Sequence, residues 1–173
     1  DIYRDDWDKI KAFDLITKNS EKVIRAYSMA NYPAEGDIVM LNVRIATPPW
    51  DRKKDRFKKV SSGISSSFIF SKKAGDKVTV SGPYGEFFIN ESESEMMYIG
   101  GGAGMAPMRS HIMHLFHTLK TKRKVTFWYG ARSCREIFYE EDFRAIEKEF
   151  PNFTFNIALS EALPGDKWGG MTG

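Results

Sequence analysis

The stretch that most constrains the fold is Met96-Met97-Tyr98-Ile99-Gly100-Gly101-Gly102-Ala103-Gly104-Met105-Ala106-Pro107. Its short apolar run reads as a buried strand. The strand stops at a turn that side chains would obstruct, and Pro107 then opens an amphipathic helix through about Leu119. Proline suits the first helical turn because its missing N–H would have had no intrahelical partner. Strand, glycine turn and helix start together present several backbone N–H groups at the positive end of a helix dipole. That is a phosphate-binding construction. Gly102-x-Gly104-x-x-Pro107 puts proline where the dinucleotide fingerprint has its third glycine. A glycine-rich turn with no ligand is the competing explanation of this motif taken alone.

After this turn the pattern is regular. Strand 96–100, helix 107–119, strand Val125–Tyr129, helix Tyr139–Phe150 and strand Phe153–Leu159 alternate, which calls for a parallel sheet with crossover helices. The helix after Pro107 offers Met108, Ile112, Leu115, Phe116 and Leu119 as one apolar face. His111, His114 and His117 recur every third residue along it. Helical spacing of this kind can serve a metal, but His117 falls nearly opposite the apolar face, so solvated surface histidines and no metal site are expected.

Before the turn the chain reads as antiparallel. Trp7 and Ile10 suggest a short helix or irregular insertion over Asp5–Thr17. Lys22–Ala30 and the β-branched Ile38–Ile45 read as strands joined by the turn-forming Asn31-Tyr32-Pro33-Ala34-Glu35-Gly36-Asp37. Residues 47–62 break the pattern with Pro48-Pro49 and a basic run, Arg52 to Lys59, expected to be a solvated loop. Gly63-Ile64-Ser65-Ser66-Ser67-Phe68-Ile69-Phe70 reads as a glycine turn opening a short helix, and Val78–Ser81 as a strand ending at Gly82-Pro83-Tyr84-Gly85. The acidic, serine-rich Asn90–Glu95 separates the two patterns. The expected fold class is therefore an antiparallel β-barrel, incomplete, over residues 1–93, followed by a truncated parallel-sheet α/β domain over 94–173.

Composition narrows the function. The 42% hydrophobic content supports a packed core, and a net charge of +3 is too balanced for a nucleic-acid binder. Cys134 is the only cysteine, so neither an intrachain disulfide nor a thiolate-built metal site arises within this chain. No apolar run reaches the ~18–20 residues that span a bilayer. With no initiator methionine and a loop-like end at Gly169–Gly173, the chain reads as a fragment.

Four separated segments carry groups suited to a flavin or dinucleotide. Arg25 can pair bidentately with a pyrophosphate. Tyr27, two residues on, offers an aromatic plane, and Ser28 a hydroxyl. The bland alternative is an ordinary strand with a surface arginine. Gly63, Ile64, Ser65 and Ser66 open a helix and form a second anion site. Gly102, Gly104 and Pro107 form the third. Gly130, Ala131 and Arg132 follow a parallel strand at its carboxyl end, where open α/β sheets bind ligands.

Arg-x-Tyr-Ser, Gly-x-x-Ser before a short helix, Gly-Pro-x-Gly and Gly-x-Gly-x-x-Pro occur in the order found in the ferredoxin–NADP reductase superfamily, which the whole chain resembles. Three longer strings resemble the F-subunit family of the bacterial sodium-translocating NADH:quinone oxidoreductases: Arg25 to Pro33, Gly82 to Phe88 and Gly130 to Tyr139. The resemblance implies that Arg25 binds the FAD pyrophosphate together with Gly63 through Ser66. It implies that Tyr27 packs on the isoalloxazine and Ser28 hydrogen-bonds near its N5. Tyr27 and Ser28 would be the catalytic pair. Gly102, Gly104, Pro107, Gly130, Ala131 and Arg132 would hold NADH.

The implied activity is a flavin-dependent NADH dehydrogenase (diaphorase). Hydride would pass from NADH to FAD, and electrons singly to a 2Fe–2S cluster in a ferredoxin-like domain of the parent, upstream of this stretch. Implied partners are NADH and the other subunits of a membrane-bound, sodium-pumping quinone reductase. The implied location is the cytoplasmic side of the bacterial inner membrane, through an anchor outside this stretch. Two alternatives stay open: the reductase component of an aromatic-ring oxygenase, and a non-catalytic nucleotide-binding module.

Overall fold

The computed structural model describes residues 4–173, so the first three residues of the expected 1–93 stretch lie outside the described residues. It forms two compact units, one of Asp1–Ala26 with Val43–Tyr84, the other of Tyr27–Asn42 with Gly85–Gly173.

In the first unit α1 spans Arg4–Lys9 and a short 3₁₀ turn follows over Ala12–Asp14. The short helix or irregular insertion expected over Asp5–Thr17 is thus a short helix that stops before Lys11, whose left-handed backbone (φ 54°) cannot continue it. Trp7 anchors the segment, with its ring 5.4 Å from Phe13 and 5.8 Å from Phe70. The basic stretch expected to be a plain loop contains a hairpin, β1 (Trp50–Asp51) antiparallel to β2 (Arg56–Phe57). Trp50 and Phe57 face each other edge-on at 5.0 Å across it, and the Asp51 carboxylate accepts the N–H groups of Lys53 and Lys54 at 3.1 and 3.3 Å. The helix expected after Gly63 is present as α2, Ile64–Phe70.

In the second unit β3 (Met96–Gly101) runs through a 3₁₀ turn (Gly102–Met105) into α3 (Ala106–Met113), which continues as a π-helical turn over His114–Thr118. β4 (Val125–Ala131), α4 (Glu140–Glu149), β5 (Phe153–Leu159) and β6 (Met171–Thr172) complete it. The strands lie in the order β3-β4-β5-β6, every neighbouring pair parallel. Alternate side chains, Val125, Phe127 and Tyr129 on β4 and Phe153, Phe155 and Ile157 on β5, form one core with Ile112, Phe116, Phe143 and Ile146 of the helical segments. Phe127, Phe143 and Phe155 meet pairwise at 4.9–5.4 Å.

Three further expectations need correction. Leu119 is 56% exposed and Met113 is buried instead. The π turn explains this: Leu119 N–H bonds back to the His114 carbonyl, five residues earlier, at 3.0 Å, so the wider turn rotates residue 119 off the core face. The three histidines are half-buried rather than solvated. His111 stacks on Phe87 at 5.0 Å with its Nε2 3.1 Å from the Phe87 carbonyl oxygen, and burial lowers its pKa. The strands expected over 22–30, 38–45 and 78–81 reduce, among the described residues, to one antiparallel bridge, Met29 to Leu41. Their β-branched side chains stay exposed (Ile24 90%, Val39 57%, Val80 67%). Strand propensity without a face to bury does not build a ladder.

Candidate functional site

The end of β3 and the turn after it contain glycines of two kinds. A Cβ on Gly100 would lie 2.3 Å from the Met108 sulfur, and one on Gly101 would lie 2.0 Å from the Gly130 carbonyl oxygen. Gly102 has φ +54°, a left-handed conformation that glycine adopts without strain. Gly101 and Gly102 are glycines for reasons internal to the fold, whereas at Gly100 the flexible end of Met108 could swing aside. Gly104 has no such reason: its φ is ordinary and no atom lies within 4 Å of a Cβ there. Gly130, exposed and at the carboxyl end of β4, is the same. Because Gly101 pairs with Gly130 in the ladder, both open glycines sit at the carboxyl ends of adjacent parallel strands, the ligand-binding side of such sheets. A side chain at either position would meet open space. α3 begins there with Pro107 in its first turn and no side-chain cap, so the turn's N–H groups face no competing side chain.

Arg132, expected at the ribose or phosphates, is paired with Glu136 in a two-pronged contact (3.0 and 2.5 Å). Its carbonyl accepts the Glu161 N–H at 2.8 Å, and the Ala131 carbonyl that of Ser160 at 3.0 Å. Gly102, Gly104, Pro107, Gly130, Ala131 and Arg132 are thus brought together by the β3–β4 pairing.

Of the expected flavin residues, Arg25 and Gly63 to Ser66 belong to the first unit, Tyr27 and Ser28 to the second. Arg25 is exposed, donates Nη1–H to the Ile24 carbonyl at 2.8 Å, and among the described residues forms no ion pair. Gly63 must be glycine: a Cβ would meet that of Ala46 at 2.7 Å. Its N–H bonds to the Ala46 carbonyl at 2.7 Å. Ser66 is buried, and its hydroxyl accepts from Ala46 N–H at 3.1 Å and donates to the Gly63 carbonyl at 3.2 Å. That hydroxyl therefore shapes the turn, a structural use the sequence did not disclose. Tyr27 is half-buried and Ser28 exposed, just before the Met29–Leu41 bridge.

Sequence reasoning missed Arg109. It is 5% exposed on α3, ion-paired to Glu35 at 2.8 Å and to Asp142 at 2.9 Å. Its Nη1–H also donates to the Ala30 carbonyl at 2.9 Å, and its guanidinium lies 4.8 Å from the centre of the Tyr139 ring. The signal was available: residues 105, 109, 112 and 116 share one buried helical face, and an arginine there needs partners. Arg109's hydrogen bond holds the Glu35 carboxyl below its usual pKa. Ionised Glu35 therefore contributes stability that is complete above its unfolded value, about pH 4.3, and is lost as pH falls through the lower folded value. Melting curves from pH 6 to 3 should show Glu35→Gln with a shallower acid decline than the wild type; parallel declines mean that Glu35 carries no such linkage.

Comparison with known proteins fits this geometry. Residues 11–89 match the oxidoreductase FAD-binding domain and residues 98–173 the oxidoreductase NAD-binding domain. The F subunit of the Na(+)-translocating NADH-quinone reductase of Serratia proteamaculans (strain 568) is 60% identical over 173 residues, covering 100% of this chain and 41% of that protein. The chain belongs to the family of Na(+)-translocating NADH-quinone reductase F subunits. The F subunit of Shewanella putrefaciens is 58% identical over 171 residues, covering 99% of this chain and 54% of that protein. The chain thus spans about half the length, or less, of these relatives. Among solved structures, an Amycolatopsis cytochrome P450 reductase superposes with a TM-score of 0.63 at 25% identity, over 85% of this chain and 40% of that one. The expected fold class holds: an antiparallel part with an FAD-binding match precedes the parallel nucleotide-binding sheet.

Proposed function

We propose that this chain is the electron-input module, an NADH dehydrogenase (diaphorase), of a sodium-pumping NADH:quinone oxidoreductase. FAD bound in this chain would supply hydride acceptance from NADH and the change to one-electron transfer toward a 2Fe–2S centre elsewhere in the parent. The observation that carries this is the pair of open glycines, Gly104 and Gly130, at adjacent strand ends, in a chain whose two parts match FAD- and NAD-binding oxidoreductase domains. The flavin stretch is 1–93 and the NADH stretch 94–173.

Gly102, Gly104 and Pro107 hold the NADH pyrophosphate through backbone N–H groups, with Gly130, Ala131 and Arg132 beside it. Glu136 already engages Arg132, which leaves that arginine less free for an extra 2′-phosphate and favours NADH over NADPH. Arg25, with no carboxylate partner among the described residues, and the backbone of Gly63–Ser66 bind the flavin pyrophosphate. Tyr27 packs on the flavin ring, and Ser28 donates a hydrogen bond near N5. The ferredoxin-like domain and membrane partners of the parent complete the complex on the cytoplasmic side of the inner membrane. No helix among the described residues is long and apolar enough to cross a membrane.

Acid extraction of the full-length protein should release FAD, and FMN alone or no flavin would sink the assignment. Ser28→Ala should keep FAD and slow its reduction roughly tenfold or more, since ~1.4 kcal/mol lost in the transition state is a factor of ten. Arg25→Ala should instead lose FAD, as the pyrophosphate is left without its cation. A Ser28→Ala protein reduced at the wild-type rate assigns that hydroxyl a structural role.

A further inference from the structure

We propose that Arg109 is a positioning residue for hydride transfer, holding the segment that carries Tyr27 and Ser28 against the helix that starts at the nucleotide turn. This rests on the flavin–nicotinamide function proposed above.

Tyr27–Asn42 is an excursion packed with the nucleotide-binding unit. It has almost no ladder of its own: one bridge, Met29 to Leu41, with the Ala30 N–H on the Met40 carbonyl at 2.7 Å. Side chains brace it instead. Asn31 donates Nδ2–H to the Ile38 carbonyl and accepts the Met40 N–H, both at 2.8 Å, and Glu35 accepts the Tyr32 N–H at 2.9 Å.

Two tethers then fix the excursion to the elements of the turn. At its start, Arg109 reaches the Ala30 carbonyl and both oxygens of Glu35 (3.0 and 2.8 Å), while its Nε–H holds Asp142 on α4 at 3.0 Å. At its end, Asn42 donates Nδ2–H to the Met105 sulfur at 3.2 Å and accepts the Tyr139 hydroxyl at 2.8 Å. Met105 directly follows the open Gly104, and Arg109 lies two residues after Pro107. Ala30, in turn, is two residues from Ser28. The glycine turn and the Tyr27–Ser28 pair are therefore linked through a few bonds of fixed direction.

A purely stabilising role does not call for this construction. Burying an ion cluster is costly, and apolar residues of similar volume often stabilise as well or better. What a planar guanidinium with five donors adds is geometry. Transfer between two bound rings depends on near-ångström placement, so an excursion that drifts should lose rate before it loses ligand.

The experiment uses the full-length, FAD-loaded protein with Glu35→Gln and Arg109→Lys. Glu35→Gln keeps the side-chain shape, so a fold defect of the arginine variant does not end the test. Three quantities are read: the limiting rate of flavin reduction by NADH, the NADH dissociation constant, and amide hydrogen exchange. The expected result is a tenfold or greater fall in limiting rate, with FAD occupancy kept and NADH affinity changed less than about threefold. Exchange should accelerate over residues 29–41 but not in β4 or β5. A wild-type rate despite faster exchange over 29–41 overturns the positioning role, as does exchange that is unchanged there or accelerated everywhere. A wild-type protein that holds no FAD, or is not reduced by NADH, overturns the underlying function and this role with it.

Discussion

Alanine at Gly101 destabilises the parallel sheet by more than about 3 kcal/mol, whereas alanine at Gly104 changes stability by less than about 0.5 kcal/mol. The difference follows from what each Cβ would meet. At Gly101 it would sit 2.0 Å from the Gly130 carbonyl oxygen and 3.0 Å from its carbon. Those are backbone atoms of the neighbouring strand, paired in register with Gly101, so no rotamer change relieves the clash. β3 and β4 must move apart at the strand ends that form the turn. At Gly104 the Cβ enters open space. For a chain of this size ~3 kcal/mol corresponds to a fall in Tm of about 6–12 °C. Gly104→Ala should melt like the wild type yet bind NADH tenfold or more weakly, because the methyl occupies the ligand's place. Thermal melts paired with NADH titration of the full-length protein check this. Equal melting points for the two variants contradict the structural half, and wild-type NADH affinity in Gly104→Ala contradicts the ligand half.

The second large effect is at Arg109. Arg109→Met should cost about 3 kcal/mol, the low end for breaking a buried ion pair, because Glu35 and Asp142 keep some water contact (21% and 37% side-chain exposure). The loss has two origins: the carboxylates are left without their cation, and the Ala30 carbonyl without its donor. Replacing all three ionic residues by apolar ones of similar size should recover much of the loss, since no half of a pair is then stranded. Denaturant midpoints of the single and triple variants separate these contributions. A triple variant no more stable than Arg109→Met alone means that the cluster's own attraction, not relief of stranded charge, dominates.

The parallel half was legible in the sequence because its signals are local and agree with one another. Apolar runs alternate with helical periodicity, and the glycine turn falls where strand must become helix. The antiparallel half was not. Lys22–Ala30 and Ile38–Ile45 have the residue types of strands, but strand formation depends on a partner and a buried face, and only Met29 and Leu41 bridge. Trp50 and Phe57 made a hairpin out of a stretch that its charges marked as loop. Sequence located Gly104 and Gly130 but not what sets them apart from Gly101, because close approach between strands is a property of the folded sheet. Arg109 went unread for a similar reason: its partners, Ala30, Glu35 and Asp142, are distant along the chain.

Electron input from NADH to FAD is tested most directly by rapid mixing of the full-length, FAD-loaded protein with NADH under anaerobic conditions, following flavin absorbance. The absorbance should bleach in one turnover, faster and at lower nucleotide concentration with NADH than with NADPH. A protein that holds FAD but does not bleach with NADH contradicts the proposed function.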